Sequence, residues 1–177
     1  MVDVGFGGDG ATAPIPLVEG YVTCNMGSQD VRLVRDHIPQ QVARSSETKL
    51  WIYQYRNRPD LPWNSFYAFA EFEFLPPDFE IMNWYTGSNP ESAQTFTVLV
   101  VSFLKRANAD APGGQEVYGK RMLVDGTVKE NLGGRTHVVQ QCNTEYERTE
   151  ALRTIFGITL TEAERSSIVG TTTDLGF

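Results

Sequence analysis

Polarity that alternates with a period of two, in several runs separated by turn chemistry, restricts this chain more than any other feature, because it demands a fold built on strands. In Leu50-Trp51-Ile52-Tyr53-Gln54-Tyr55-Arg56, Trp51, Tyr53 and Tyr55 fall on one face and Leu50, Ile52 and Gln54 on the other. Bulky groups on both faces predict a strand covered on both sides over much of its length, with the aromatic stripe serving as core rather than as a ligand pocket. The run from 66 to 74 alternates in its second half, where Phe72 and Phe74 oppose Glu71 and Glu73. Those glutamates read as the solvated face of an antiparallel strand and are assigned no chemistry. Residues 15–21, 31–35 and 95–104 supply further strand runs, with turns at Asn25-Met26-Gly27-Ser28 and Arg58-Pro59-Asp60-Leu61-Pro62. Pro76-Pro77 closes the 66–74 run. Asp78 then predicts the cap of a short helix toward Tyr85, stopped by Gly87 and Asn89-Pro90.

The pattern changes beyond residue 106. Residues 107–115, with Pro112-Gly113-Gly114, mark the best boundary in the chain. After it, 117–124 and 127–132 flank an Asp125-Gly126 turn as a hairpin, and 135–141 adds a third strand. Thr144 and Glu147 have capping-box spacing and open a helix to about Phe156, with Tyr146, Leu152, Ile155 and Phe156 expected inside. Thr161 and Glu164 repeat the signal for a last short helix. Strands first and helices last imply a mixed α/β fold of the α+β kind. Its first part is an antiparallel, β-barrel-like domain over 1–106 that includes the helix at 77–86, and its second is a small α/β part with C-terminal helices over 107–177.

Composition narrows the partners. The 177 residues suffice for one substantial domain or two small ones. A net charge of −7, with no basic cluster, argues against nucleic acid or an anionic membrane surface. The longest apolar run, 98–104, is far short of a bilayer span. Cys24 and Cys142 are the only cysteines and have no Cys-x-x-Cys spacing, which fits a reducing, cytoplasmic setting and supplies no metal site.

The opening residues combine a carboxylate with unusual backbone freedom: Asp3 leads into Gly5-Phe6-Gly7-Gly8-Asp9-Gly10. The glycines match G-x-G-x-x-G, but a dinucleotide site needs a helix to start at the third glycine. Pro14-Ile15-Pro16 forbids that helix and favours extended chain. The segment Asp3-Val4-Gly5-Phe6-Gly7-Gly8 followed by Pro14-Ile15-Pro16-Leu17 resembles instead the part of the arylamine N-acetyltransferase family that carries the Asp of a Cys-His-Asp triad. The stretch 78–92, with Asn83, Tyr85, Thr86, Pro90 and Ser92, is similar to that family's coenzyme-proximal motif, and Ile155-Phe156-Gly157-Ile158-Thr159-Leu160 to its C-terminal ending.

That resemblance carries a set of expectations. It implies a β-barrel domain and an α/β lid, and ping-pong transfer of acetyl from acetyl-CoA to an arylamine or hydrazine in xenobiotic metabolism, without a metal. Asp3 would orient a His, Phe6 would wall the acceptor pocket, and Tyr85, Thr86, Ser88 and Ser92, in a loop interrupted by Gly and Pro, would approach acetyl-CoA. The family's Arg-Gly-Gly-x-Cys motif and its His stand ahead of the Asp, whereas only Met1 and Val2 stand ahead of Asp3. The chain is therefore expected to be the C-terminal, truncated portion of such an enzyme, inactive alone, unless Met1 is a misplaced start. An intrinsic substitute from Cys24, Cys142, His37 and His137 is not expected: His137 and Cys142, five apart, fall on opposite faces of a regular strand. The alternative reading is a non-catalytic remnant that binds a coenzyme, a complementary chain or itself through open strand edges.

Overall fold

The computed structural model describes residues 1–3, 5–6 and 8–176. Its mixed α/β architecture holds two four-stranded sheets, ordered β1-β2-β3-β4 and β5-β6-β7-β8. Both are open in the described residues, so the expected barrel likeness goes no further than antiparallel strands that follow one another in chain order. The chain divides into two compact units: Met1–Glu73 with Leu104–Gly119 and Leu132–Arg135, and Phe74–Phe103 with Lys120–Asn131 and Thr136–Phe177.

In the first unit, β1 (Val22–Met26), β2 (Gln29–Asp36), β3 (Leu50–Arg56) and β4 (Asn64–Phe69) pair antiparallel in chain order. Register places Leu33 opposite Tyr53 and Tyr53 opposite Tyr67, with Trp51 opposite both Arg35 and Phe69. The period-two face expected for Trp51 and Tyr53 is thus a core face: with Ile15, Val31 and Leu33 they form a buried cluster, against which Tyr55, Tyr67 and Phe69 pack. The turn from β1 to β2 passes through Gly27 at φ +58°, where a Cβ would lie 2.8 Å from the Cα of Gly133. Backbone contact that close admits only glycine.

Three strand expectations need correction. Residues 15–21 form no strand. Ile15 is buried, but the segment carries isolated backbone bonds rather than a ladder, among them Ile15 N–H to Met1 O at 3.0 Å and Gly20 N–H to Leu33 O at 2.8 Å, and Pro16 and a left-handed Gly20 interrupt it. The alternating 71–74 segment lies beyond the end of β4 and leaves Phe72 77% exposed. Among the described residues, alternation there has no partner strand to act on. The 95–104 run begins in a short helix, α2 (Ala93–Phe96), and becomes strand only at β5 (Leu99–Ala107).

The helix expected at 77–86 is α1 (Pro76–Ser88). Its N-cap is Leu75; Asp78 stands at the third helical position, where its carboxylate accepts from Leu75 N–H at 2.8 Å and complements the helix dipole. In the second sheet β6 (Gln115–Val124), β7 (Thr127–Asn131) and β8 (Thr136–Gln141) pair antiparallel, the β6–β7 turn being Asp125-Gly126 as expected, with Asp125 at φ +52°. Leu123, Val128, Cys142, Ala151 and Leu152 form the second core.

Helix α3 (Glu145–Phe156) is capped by Thr144, whose hydroxyl accepts from Glu147 N–H at 3.2 Å; α4 (Glu162–Ser166) carries a complete capping box with Thr161 and Glu164. Leu152, Ile155 and Phe156 of α3 join the second core as expected, and one position differs. Tyr146 is exposed, while Glu145 and Arg148 are buried as an ion pair. Arg148 also donates to Thr173 O at 2.9 Å, and Glu145 accepts from Leu175 N–H at 2.9 Å, so the pair satisfies its buried groups by holding residues 173–175. Apolar periodicity could not reveal a charged pair whose partners lie in the tail.

Candidate active site around Asp3

The irregular first residues, a glycine-rich loop and the aromatic face of β3–β4 converge on one carboxylate. Asp3 Oδ1 accepts from the backbone N–H of Gly5 and of Phe6, each at 3.1 Å, a local turn that short polar side chains favour. Its other oxygen, Oδ2, accepts from the Tyr67 hydroxyl at 2.7 Å. Three donors on two oxygens hold the carboxyl plane in one orientation, and a carboxylate has about four acceptor directions, so the donors among the described residues leave one for a further group. Among the described residues, neither His37 nor His137 supplies it: His37 bonds Ser45 O and Thr48 Oγ1, and His137 lies 3.5 Å from Glu130.

Tyr67 was not singled out by its position in the sequence. It lies in β4 opposite Tyr53 in register, and the two rings stack with centroids 5.3 Å apart. Burial, then the Asp3 hydrogen bond and charge, push the Tyr67 phenol above its ordinary range, so it remains a donor at neutral pH. The contact spans 64 residues. No local pattern carries a signal at that range.

Phe6 packs into the same aromatic face, its ring edge-on to Phe66 at 4.8 Å and tilted to Tyr67 at 4.9 Å. Further side chains pin the loop from above: the Tyr53 hydroxyl donates to Asp9 O at 2.8 Å, and Asn25 donates to Gly10 O at 3.1 Å while accepting from Thr12 N–H at 2.7 Å. Beside Asp3 lies a cleft of about 320 Å³ lined by Met1, Val2, Asp3, Leu17, Tyr67 and Phe69. Its walls are apolar apart from Asp3 and the Tyr67 hydroxyl. Of the motif that leads to this site, Val4 and Gly7 lie outside the described residues.

The expected coenzyme residues belong to the other unit. Tyr85, Thr86 and Ser88 occupy the last turn of α1 rather than a loop, because the helix continues through Gly87. Tyr85 and Ser88 are exposed. Thr86 donates to Met82 O at 2.9 Å, the ordinary back-bond of a helical threonine, and Ser92, 6% exposed, donates to Thr86 O at 2.8 Å. Both hydroxyl protons close the end of α1, which leaves the oxygens as acceptors only.

Among the described residues neither cysteine is paired with an imidazole. The exposed Cys24 thiol contacts Gly27 O at 3.4 Å, and burial with the nearby Asp30 and Glu116 charges raises its pKa; burial likewise raises that of Cys142, whose partner is Gln140. Thiols pushed away from the thiolate are poor nucleophiles. Among the described residues no three His, Cys, Asp or Glu side chains gather as a metal site would require, and no helix is long and apolar enough to cross a membrane.

The family model of N-acetyltransferases matches residues 1–165. This chain belongs to that family. The resemblance to arylamine N-acetyltransferases read from Asp3, the 78–92 stretch and the 155–160 ending therefore holds. An N-malonyltransferase of Fusarium pseudograminearum is 34% identical over 174 residues, which are 95% of this chain and 49% of that protein. The arylamine N-acetyltransferase of Salmonella typhimurium shares the fold with a TM-score of 0.64 at 25% identity, over 94% of this chain and 54% of its own. The Mycobacterium marinum arylamine N-acetyltransferase, solved in complex with CoA, superposes with a TM-score of 0.65 at 19% identity, over 98% and 52%. The chain thus spans about half the length of the relatives it matches.

Proposed function

We propose that this chain supplies the carboxylate-bearing half of an acyl-CoA-dependent N-acyltransferase. The observation that carries the reading is the fixed Asp3 carboxylate, held by two loop amides and Tyr67, with one acceptor direction left by the described residues. An imidazole N–H placed in that direction is oriented and made more basic, so that its other nitrogen takes the proton of a cysteine thiol. The thiolate attacks the acyl thioester carbon, the bond to the CoA sulfur breaks, and the imidazolium returns the proton to the leaving thiolate. An amine then attacks the protein-bound thioester, the imidazole takes the proton the nitrogen loses, the carbon–sulfur bond breaks, and the amide leaves as that proton passes to the released cysteine thiolate. Phe6 would wall the amine pocket, Tyr85 and Ser88 would meet the coenzyme, and the cysteine and histidine come from the half of the family that this chain does not match.

Acetyl was the expected acyl group; the N-malonyltransferase relatives add malonyl as a second candidate. The test is acyl transfer to an aromatic amine with acetyl-CoA and with malonyl-CoA. The 177-residue chain alone is expected to give no turnover. Turnover by that chain which disappears in Cys24→Ser or Cys142→Ser would overturn the reading, since the nucleophile would then be its own. The non-catalytic alternative gains from one observation, the uncovered apolar surface of α1.

A further inference from the structure

Among the described residues, four arginines lie over aromatic rings: Arg32 and Arg56 over Trp63, 4.1 and 4.6 Å from its centroid, Arg35 over Trp51 and Arg106 over Tyr118. Arg35, Arg56 and Arg106 each hold a carboxylate as well, that of Glu71, Asp30 and Glu116. Arg32 is the exception. Among the described residues its side chain makes one hydrogen bond, Nε donating to Gln54 Oε1 at 2.9 Å. Arg32 falls between the core residues Val31 and Leu33 and faces Gln54 in register, so both project from the side of the first sheet away from that core. Gln54 in turn donates to Ser65 Oγ at 3.1 Å, which fixes its amide oxygen toward Arg32. With Nε used and the plane set by Gln54 and Trp63, Nη1 and Nη2 remain as a fork of donors. Asp30 is committed to Arg56, its Oδ2 accepting from Nε at 2.9 Å and lying 2.8 Å from Nη2. Two cations thus share one indole with one anion, and burial together with the neighbouring Arg56 charge lowers the pKa of Arg32. The linear chain has no basic cluster; strand register makes this one.

We infer that Arg32 anchors a binding site for one carboxylate group, received end-on by Nη1 and Nη2 on the Trp63 side of the first sheet. The charge count selects the class. Two guanidiniums against Asp30 leave one positive charge, which a single carboxylate cancels, whereas a phosphate dianion would set excess negative charge close to Asp30. The two coplanar oxygens of a carboxylate also match the fork of a guanidinium held in one plane. Tyr53 and Tyr67, which face each other in register and carry the hydrogen bond to Asp3, belong to the core side of the sheet. The carboxylate site is therefore separate from the proposed acyl transfer, and its test involves none.

The test is a titration of the isotope-labelled chain with sodium acetate at neutral pH, with chloride holding the ionic strength constant, followed by NMR at the Arg32 Nε–H and Trp63 Nε1–H. A saturable shift with a half-point on the order of 10 mM is expected, the strength of one forked, charge-assisted contact on a solvated surface. Read through Trp63, Arg32→Gln is expected to weaken binding at least about tenfold, and Arg32→Lys, which keeps the charge without the fork, at least about threefold. Asp30→Asn removes the competing anion and is expected to tighten binding about threefold. In a second arm the probe is a capped peptide with a single glutamate. Binding within about tenfold of acetate identifies a free acid as the ligand, and binding more than about tenfold tighter a carboxylate on a protein chain; both results uphold the site. A shift that never saturates, or equal affinity in Arg32→Gln, would overturn the inference. If Arg32→Gln does not fold, Asp30→Asn decides in its place, since unchanged or weaker binding there would overturn it too. Inorganic phosphate binding at least about tenfold tighter than acetate would overturn the assignment to a carboxylate, because the charge count would then be wrong.

Discussion

The loop around Asp3 and the 85–92 segment were both expected to hold functional groups, and they are organised in opposite ways. Asp3, Asp9 and Gly10 are held by Tyr67, Tyr53 and Asn25, partners 64, 44 and 15 residues away. Thr86, Ser92 and Thr95 are bonded to carbonyls no more than six residues off. A group held from afar inherits the rigidity of the sheet that carries its partner. One held locally is only as well placed as its own helix end. The first arrangement suits a residue that must keep a fixed direction; the second suits surfaces completed by a ligand or a partner.

The largest effect should come from removing the sheet's grip on the loop. Tyr53 is fully buried, stacks on Tyr67 and donates to Asp9 O. Tyr53→Ala is expected to lose about 3–5 kcal/mol in urea unfolding, as large aromatic truncations do. A loss below about 1 kcal/mol would mean that the loop and sheet are not coupled as described.

Tyr67→Phe removes one donor from Asp3 and keeps the ring. A hydrogen bond to a charged acceptor contributes about 1.5–3 kcal/mol, and that is the expected loss at neutral pH. The pH dependence has a definite sign. The folded-state pKa of Tyr67 is raised, so below the unfolded value near 10 its contribution is fully present, and it is lost as pH rises toward the folded value, where the unfolded chain binds fewer protons than the native one. Wild type should therefore lose stability above about pH 10 more steeply than Tyr67→Phe. Parallel alkaline slopes would show that Tyr67 does not titrate differently in the two states. Tyr53, raised by burial in the same way, contributes its own slope in both proteins.

Ser92→Ala tests the local arrangement. Ser92 is buried and its hydroxyl donates to one carbonyl, so a loss of about 1 kcal/mol in thermal unfolding is expected. The smallest effect belongs to Tyr85→Ala, within about 0.5 kcal/mol for an exposed side chain. A loss above about 2 kcal/mol there would show that α1 is already packed in the isolated chain and would erase the contrast.

Much of this was legible in the chain. The aromatic stripe of β3, the Asp125-Gly126 hairpin, and the caps at Thr144 and Thr161 follow from interactions that span a few residues, which a linear pattern can express. The errors share a different cause. Residues 15–21 and 71–74 have the composition of strands but pair with no strand among the described residues, and Tyr146 has the character of a core residue on a helix whose buried face runs through Glu145, Arg148, Ala151 and Leu152. Pairing and facing are properties of what lies opposite.

The candidate site divides along the same line. Sequence alone determined that Asp3 would sit where a glycine-rich loop can wrap it, because the Gly5 and Phe6 amides that hold Oδ1 are within three residues, and it determined the family through motifs that survive as linear strings. Only the tertiary structure decided that Tyr67 holds the other oxygen, that Thr86 and Ser92 close a helix rather than line a loop, and that α1 emerges with its apolar side chains uncovered. Those depend on strand register and on which surfaces meet, and the free energies involved come from contacts between residues that are distant along the chain.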